Sequence, residues 1–378
     1  MTIVFVSEFF PESEHGDVRG GVEARCFSMA LELTRRHRVV VIASREPGLR
    51  DRQTIAGLNV IRVGRRRRFT QSGGLFARLM FIISVAFTRL PEKPDIVDAQ
   101  AIMAYVPAYF LARRYRARAV ATLHDSWLGR WVKLFGPLGF VGELYERLYL
   151  HFSWDGIVAN SRGTLERIRS RVKGRKTTVI HNGVTVPLIS AVEPRENSVC
   201  IVSRLVKYKR VDDVLRALVL LRDRGRRVTC TVIGSGADER ALRSFAQSAG
   251  LSEQVRFLGR VEKHDDVLRE IAASLVFCLP SEVEGFGIVT VEAAAVGRPY
   301  VNSDIPATRE VTENGLGGIL YRLGDVRALA DGIERLIIDK ALYRAKQVEL
   351  QKLIQQYQWS ERAEETERFY GQLRLAFG

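Results

Sequence analysis

One pattern constrains this chain more than any other. Short apolar runs alternate with helical patterns, and the alternation happens twice. The first series of runs lies at 3–6, 39–42, 60–63, 95–98, 119–123, 157–159 and 177–180. The run Val39–Ile42 is uninterrupted and apolar, as expected for a strand buried on both faces. Between the first two, Val22, Cys26, Met29, Ala30 and Leu33 recur at helical spacing. The second series lies at 198–202, 228–233, 255–258, 275–279, 299–302 and 318–321, with a helix predicted over 211–221. The two series even open alike, IVFVSEF at 3–9 and VCIVSRL at 199–205. Strand–helix alternation of this kind specifies a parallel sheet with crossover helices. The expected class is α/β, as two tandem doubly wound domains facing across a cleft. A chain of 378 residues has room for both. The join is expected near 186–197, which holds two prolines. The domains are then 1–187, 188–358 and a helix over 359–378 that packs back on the first domain. In open α/β sheets, ligands bind beyond the carboxyl ends of the strands, so chemistry-bearing residues should collect there.

Charge is distributed unevenly. Residues 1–190 carry 30 Lys+Arg against 16 Asp+Glu, a net +14, whereas 191–378 carry 28 against 27, a net +1. An anionic partner for the first half follows as an expectation, either a phospholipid surface or nucleic acid. A solvated Arg-rich surface is the plain alternative. Cys26, Cys200, Cys230 and Cys278 show no C-x-x-C spacing and sit in or beside apolar runs. They are expected as buried, reduced thiols of a cytosolic protein, with no zinc site. The start, MTIVFVSEFFPES, does not look like a secretory leader. The longest apolar run, 79–87, is far below the ~20 residues needed to span a bilayer. It follows Arg65-Arg66-Arg67-Arg68 and Phe69, an order that suits an interfacial element on anionic lipid. The competing reading makes 79–87 a buried core helix and the arginines a solvated loop.

The strongest local signal is S-E-V-E-G-F-G-I-V-T-V-E-A-A-A-V-G at 281–297. An apolar strand ends at Pro280, a loop with Gly285 and Gly287 follows, and a helix starts near Ile288. Such an arrangement aims backbone N–H groups and a helix N-terminus at an anion. Glu284 lies in the loop and Glu292 eight residues later, so both can face one cleft. Carboxylates that accept two hydrogen bonds suit vicinal sugar hydroxyls. Read plainly, they are a loop residue and a helix-face residue.

Here the chain resembles a family. E-G-F-G-x(4)-E-A is similar to the Glu-x(7)-Glu signature of retaining nucleotide-sugar glycosyltransferases with the GT-B fold. Ser203-Arg204-Leu205-Val206-Lys207-Tyr208-Lys209 resembles that family's Arg–Lys pair. Gly20-Gly21-Val22 resembles its N-terminal glycine loop, and Thr122-Leu123-His124-Asp125 its strand-end histidine. Ala159-Asn160-Ser161 and Ile180-His181-Asn182-Gly183-Val184 resemble its interdomain segments.

The resemblance implies roles. Arg204 and Lys209 would hold the donor diphosphate, where negative charge develops. Glu292 would bind ribose hydroxyls and Glu284 the transferred sugar. Gly285, Phe286, Gly287 and Ile288 would offer backbone N–H groups, and Arg260 and Val261 would frame the base. His124 would face the donor sugar near the reacting carbon. Gly20 and Gly21 would bring backbone close to acceptor or phosphate, and His15 is a weaker candidate. The implied partners are a UDP- or GDP-linked sugar and a glycan or lipid-linked acceptor at the cytoplasmic face of the membrane. No cofactor or metal is expected, because no D-x-D triplet occurs. Val232-Ile233-Gly234-Ser235-Gly236 is not a dinucleotide fingerprint, since Glu239 replaces its third glycine. Two alternatives stand: a GT-B nucleotide-sugar epimerase, and a basic nucleic-acid-binding protein. The second lacks a basic recognition helix or an RNP-like motif.

Overall fold

The computed structural model describes residues 1–13, 20–68, 74–185 and 192–375. They form two compact units, Met1–Gly183 with Trp359–Gly378, and Val184–Gln358.

The first unit holds β1 (Thr2–Val6), β2 (Arg38–Ser44), β3 (Arg52–Ile55), β4 (Leu58–Val63), β5 (Ile96–Ala99), β6 (Arg118–Leu123), β7 (Gly156–Ala159) and β8 (Thr177–Val179). Its sheet order is β3-β4-β2-β1-β5-β6-β7-β8. All neighbours are parallel except β3 and β4. The sequence pattern misses β3, whose RQTI carries no apolar alternation. What makes it a strand is the turn. Ala56 and Gly57 both take left-handed φ, 48° and 83°, the conformation a two-residue hairpin needs.

The helices of this unit are α1 (Gly21–Thr34), α2 (Leu75–Ala86), α3 (Ile102–Tyr115), α4 (Trp131–Phe135), α5 (Gly139–His151) and α6 (Arg162–Ile168). Strand side chains alternate between two faces. Val4, Val6, Val40, Ile42 and Val97 pack with Phe81 and Val85 of α2, Ala104 and Leu111 of α3, and Tyr149 and Leu150 of α5. Ile3, Phe5, Val39 and Val41 pack the opposite way, with α1 and the C-terminal helix Trp359–Leu375. Two glycines admit that helix. A Cβ on Gly156 would sit 2.6 Å from Leu373, and one on Gly183 would sit 2.5 Å from the Trp359 indole.

The second unit holds β9 (Arg195–Val202), β10 (Thr229–Ile233), β11 (Val255–Gly259), β12 (Ser274–Leu279), β13 (Tyr300–Ser303) and β14 (Gly318–Tyr321). All are parallel, in the order β11-β10-β9-β12-β13-β14. In sequence order within the unit this is 3-2-1-4-5-6, the doubly wound arrangement of nucleotide-binding sheets. Its helices are α7 (Val211–Asp223), α8 (Glu239–Ser248), α9 (His264–Ala272), α10 (Ile288–Ala295), α11 (Pro306–Val311), α12 (Val326–Ile338) and α13 (Lys340–Gln355). One sheet face packs α7, α8 and α12; the other packs α9, α10 and α13. The crossovers reverse direction between β9 and β12. The loops leaving those two strands therefore flank a crevice at their carboxyl ends.

All four cysteines are buried and free. Burial raises each thiol above its ordinary range, so none is poised as a thiolate. No helix among the described residues is long and apolar enough to cross a membrane.

Candidate functional site

In the second unit the predicted residues gather at the switch point. The loop after β9 carries Arg204 and Lys209, and the loop after β12 carries Glu284. Lys209 Nζ lies 2.5 Å from Glu284 Oε1, with both side chains about nine-tenths buried. The amide of Glu282 donates to the Tyr208 carbonyl at 2.8 Å, tying the two loops together. Arg204 remains exposed, with Nη2 donating to the Tyr208 hydroxyl at 2.5 Å. Arg210 turns away and pairs with Asp213 at 2.7 Å.

The glycines of 234–236 acquire a role that the motif comparison does not give them. A Cβ on Gly234 would fall 1.9 Å from the Ser203 carbonyl oxygen, and one on Gly236 2.2 Å from that of Leu205. Only glycine lets this turn lie against the Arg204 loop. The Ser203 and Leu205 amides complete the contact by donating to Ile233 and Ser235.

Beyond Glu284 the chain turns through Gly287, φ 82°, directly into α10. The first-turn N–H groups of a helix have no acceptor within it and carry the positive end of its dipole. Gly285, Phe286, Gly287 and Ile288 thus bring backbone to the same crevice. The Phe286 ring itself is core, edge-on to Tyr357 at 5.8 Å. Glu292 follows in α10, mostly buried, and its Oε1 lies 3.3 Å from Nε2 of His264, the first residue of α9. Burial opposes charge on His264, but the Glu292 charge and hydrogen bond outweigh it and raise its pKa. Sequence reasoning missed His264, whose only signal is its place at a helix start. Arg260 and Val261 lie between β11 and α9. Two hydroxyls, Ser203 Oγ and Ser281 Oγ, sit buried at the ends of β9 and β12 and make no hydrogen bond among the described residues.

In the first unit His124 stands at the end of β6. The Asn160 amide donates to its carbonyl at 2.7 Å, which gives the Ala159-Asn160-Ser161 segment a physical purpose. Burial, then the nearby Arg25 charge, lowers the His124 pKa to about 3. The imidazole is neutral at physiological pH, and its Nε2 has no hydrogen-bond partner among the described residues.

Beneath it lies a polar network absent from the sequence reading. Asp98 of β5 accepts from Thr122 at 2.9 Å and from Tyr370 of the C-terminal helix at 2.5 Å. Burial raises its pKa to about 6 against these hydrogen bonds. Arg25 of α1 is buried and donates to the His181 carbonyl at 2.9 Å and to Asn182 Oδ1 at 2.8 Å. Gly20 has extended φ of 175°, and a Cβ there would meet nothing within 4 Å. Among the described residues, nothing requires glycine at 20. Gly21 opens α1, and His15 lies outside the described residues.

The arginine run is corrected by the structure. Arg65, Arg66 and Arg68 are exposed, but Arg67 turns inward. It pairs with Glu8 at 2.6 Å and lies 4.5 Å over the Phe9 ring.

Comparison with known proteins divides the chain in the same way. Residues 19–186 match the family described as Glycosyltransferase Family 4, and residues 189–356 match Glycosyl transferases group 1. Glycogen synthase of Mycobacterium tuberculosis is 29% identical over 293 residues, 74% of this chain and 69% of that protein. Phosphatidyl-myo-inositol mannosyltransferase of Mycobacterium leprae is 38% identical over 144 residues, 38% of this chain and 37% of that one. Among solved structures, sucrose-phosphate synthase from Thermosynechococcus elongatus superposes with a TM-score of 0.82 at 20% identity, covering 99% of both chains. The GT-B fold expected from the sequence is the fold observed.

Proposed function

Both halves of the chain are glycosyltransferase domains, and from that premise we propose that the protein moves a sugar from a UDP- or GDP-linked donor to an acceptor hydroxyl with retention of configuration. The observation that carries this reading is the switch point of the second unit, where Lys209 meets Glu284 directly before the N-terminus of α10.

Each group has a task in this reading. The diphosphate lies between Arg204, Lys209 and the first turn of α10. Lys209 exchanges its contact with Glu284 for phosphate oxygens, which frees that carboxylate for sugar hydroxyls. Glu292 takes the ribose hydroxyls, displacing His264, while Arg260 and Val261 border the base. The bond from C1 to the diphosphate oxygen breaks as a bond from C1 to the acceptor oxygen forms on the same face. The acceptor proton passes to the departing phosphate. Charge grows on the leaving oxygen, and fixed cations there are worth most in the transition state. Two cations and a helix N-terminus supply that stabilisation without metal. A neutral His124 serves as a hydrogen-bonding group to the sugar, since an imidazolium is disfavoured at that position. Backbone at Gly20 and Gly21 approaches the acceptor or the phosphate, which accounts for a glycine at 20 that no described neighbour requires. We assign the acceptor to glycans or lipid-linked glycans at the cytoplasmic membrane face, in keeping with the +14 first half.

The test is a panel of nucleotide-sugars incubated with and without lipid-linked and oligosaccharide acceptors, with the anomeric product read by NMR. Acceptor-dependent release of nucleoside diphosphate and a product of unchanged anomeric configuration are expected. Inversion would refute the mechanism, and isomerisation of a donor without acceptor would make the protein an epimerase.

A further inference from the structure

The helical layer of the first unit exposes what soluble proteins ordinarily bury. On α2, Phe81 and Val85 face the sheet, whereas Leu75, Phe76, Leu79 and Ile83 face solvent, with Leu75 81% exposed. On α5, Tyr149 and Leu150 face the sheet, and Phe140, Val141, Leu144 and Leu148 lie outward at 50–66% exposure. The outward sets recur at i, i+1, i+4 and i+8, so each is one continuous stripe along its helix. α3 also packs on this face of the sheet and exposes Phe110. Apolar side chains in such number on one layer mark an interaction surface.

Its electrostatics identify the partner. Neither α2 nor α3 contains an Asp or Glu. The two carboxylates of α5 are both engaged. Glu146 is buried, accepting from Ser126 and Trp131, and Glu143 accepts from the Gly129 amide and pairs with Arg147 at 2.8 Å. Cations surround the stripes: Arg65, Arg66, Arg68 and Arg89 near α2, and Arg130 and Lys133 before α5 are all exposed. Arg65 lies 5.6 Å over the Phe76 ring, which joins the arginine segment to the apolar stripe. A second copy of this face would bring cations against cations with no exposed carboxylate of these helices to answer them. Nucleic acid would satisfy the cations and leave Phe and Leu in water.

We propose that the α2–α3–α5 layer docks on an anionic phospholipid surface, with the apolar stripes in the acyl boundary and the arginines on lipid phosphates. This does not depend on the glycosyl-transfer reading. It extends the arginine-plus-79–87 element of the sequence to a second helix, α5, which carries no sequence signal of its own.

The experiment uses the full chain and vesicles of phosphatidylglycerol with phosphatidylcholine, or phosphatidylcholine alone, at low and high salt. The protein should co-sediment with the anionic vesicles, less so at high salt, and not with the neutral ones. Replacing Arg65, Arg66 and Arg68 with Ser should weaken binding about fivefold per cation, roughly a hundredfold together. Arg67 stays, since its loss would strip Glu8 of a buried partner. The double variant Phe140→Ser, Leu144→Ser should lose about tenfold or more at an unchanged melting temperature. Because every native cysteine is buried, Leu144→Cys also accepts a single environment-sensitive dye. Its emission should shift blue with anionic vesicles, whereas the same dye at Val348→Cys in the second unit should not shift. Absence of binding to either vesicle, or wild-type binding by the α5 variant, would overturn the proposal. So would a concentration-dependent dimer abolished by Phe140→Ser, which would assign the face to a second copy.

Discussion

The two units share a topology and use it in opposite ways. In the second, charge is gathered and balanced at the strand ends. Lys209 meets Glu284, His264 meets Glu292, and Arg210 meets Asp213. In the first, polarity is hidden inside. Arg25, Asp98 and Tyr370 are buried beneath His124, while apolar side chains and an excess of arginines face outward. A doubly wound sheet fixes where a site lies, not what the site contains. A cation and a carboxylate paired beside a crevice can exchange that contact for a charged ligand, which replaces the charge that moves away. A buried network cannot, and it serves instead to hold loops such as 181–182 in place.

Activity should break this comparison most sharply. Arg204→Ala and Lys209→Ala should each lower turnover by ~10²–10³, the scale of losing one preorganised stabiliser of transition-state charge. Arg204→Ala should keep the wild-type melting temperature, because Arg204 is exposed, whereas Lys209→Ala removes a buried partner of Glu284 and should melt lower while remaining folded. Steady-state kinetics beside thermal melts decide the matter. Full activity in both would remove the diphosphate from this crevice.

Stability should respond in the first unit. Asp98 has an ordinary carboxyl pKa of 3.8 and a folded value of about 6, so the folded state holds its proton more tightly than the unfolded one. Its contribution is therefore complete below pH 3.8, declines as pH rises through about 6, and is flat above. Across that window the loss is about 3 kcal/mol, at roughly 1.4 kcal/mol per pH step. Urea titrations of the wild type and of Asp98→Asn from pH 4 to 7.5 should diverge by about that amount in total. Parallel pH profiles would show that Asp98 does not titrate in the fold.

Much of this is legible in the sequence. Apolar runs that end in Gly, Ser, Arg or Lys announce strand ends, so the fold class, the Arg204–Lys209 segment and the Glu284–Glu292 loop all stand out. The parts that did not stand out depend on partners distant in sequence. Arg25 reaches Asn182 across 157 positions, and Tyr370 reaches Asp98 across 272. No local pattern records such pairs. Within Arg65–Arg68, four identical residues cannot say which one turns inward; the position of Glu8 after β1 selects Arg67. The run 79–87 left core and interface as rival readings. The helix packs Phe81 and Val85 inside and leaves Leu79 and Ile83 outside. RQTI lacked any apolar signal, and only the Ala56–Gly57 turn marked it as a strand.

The central claim is that the switch-point loops of the second unit divide a nucleotide-sugar between two glutamates. Calorimetry tests it most directly, with the free nucleoside diphosphate and the intact donor each titrated into wild type, Glu284→Ala and Glu292→Ala. Glu292→Ala should weaken both ligands, because the ribose is common to them. Glu284→Ala should leave the nucleoside diphosphate bound nearly as in the wild type and weaken only the intact donor. Loss of nucleoside diphosphate binding in Glu284→Ala, with Glu292→Ala unaffected, would contradict the assignment.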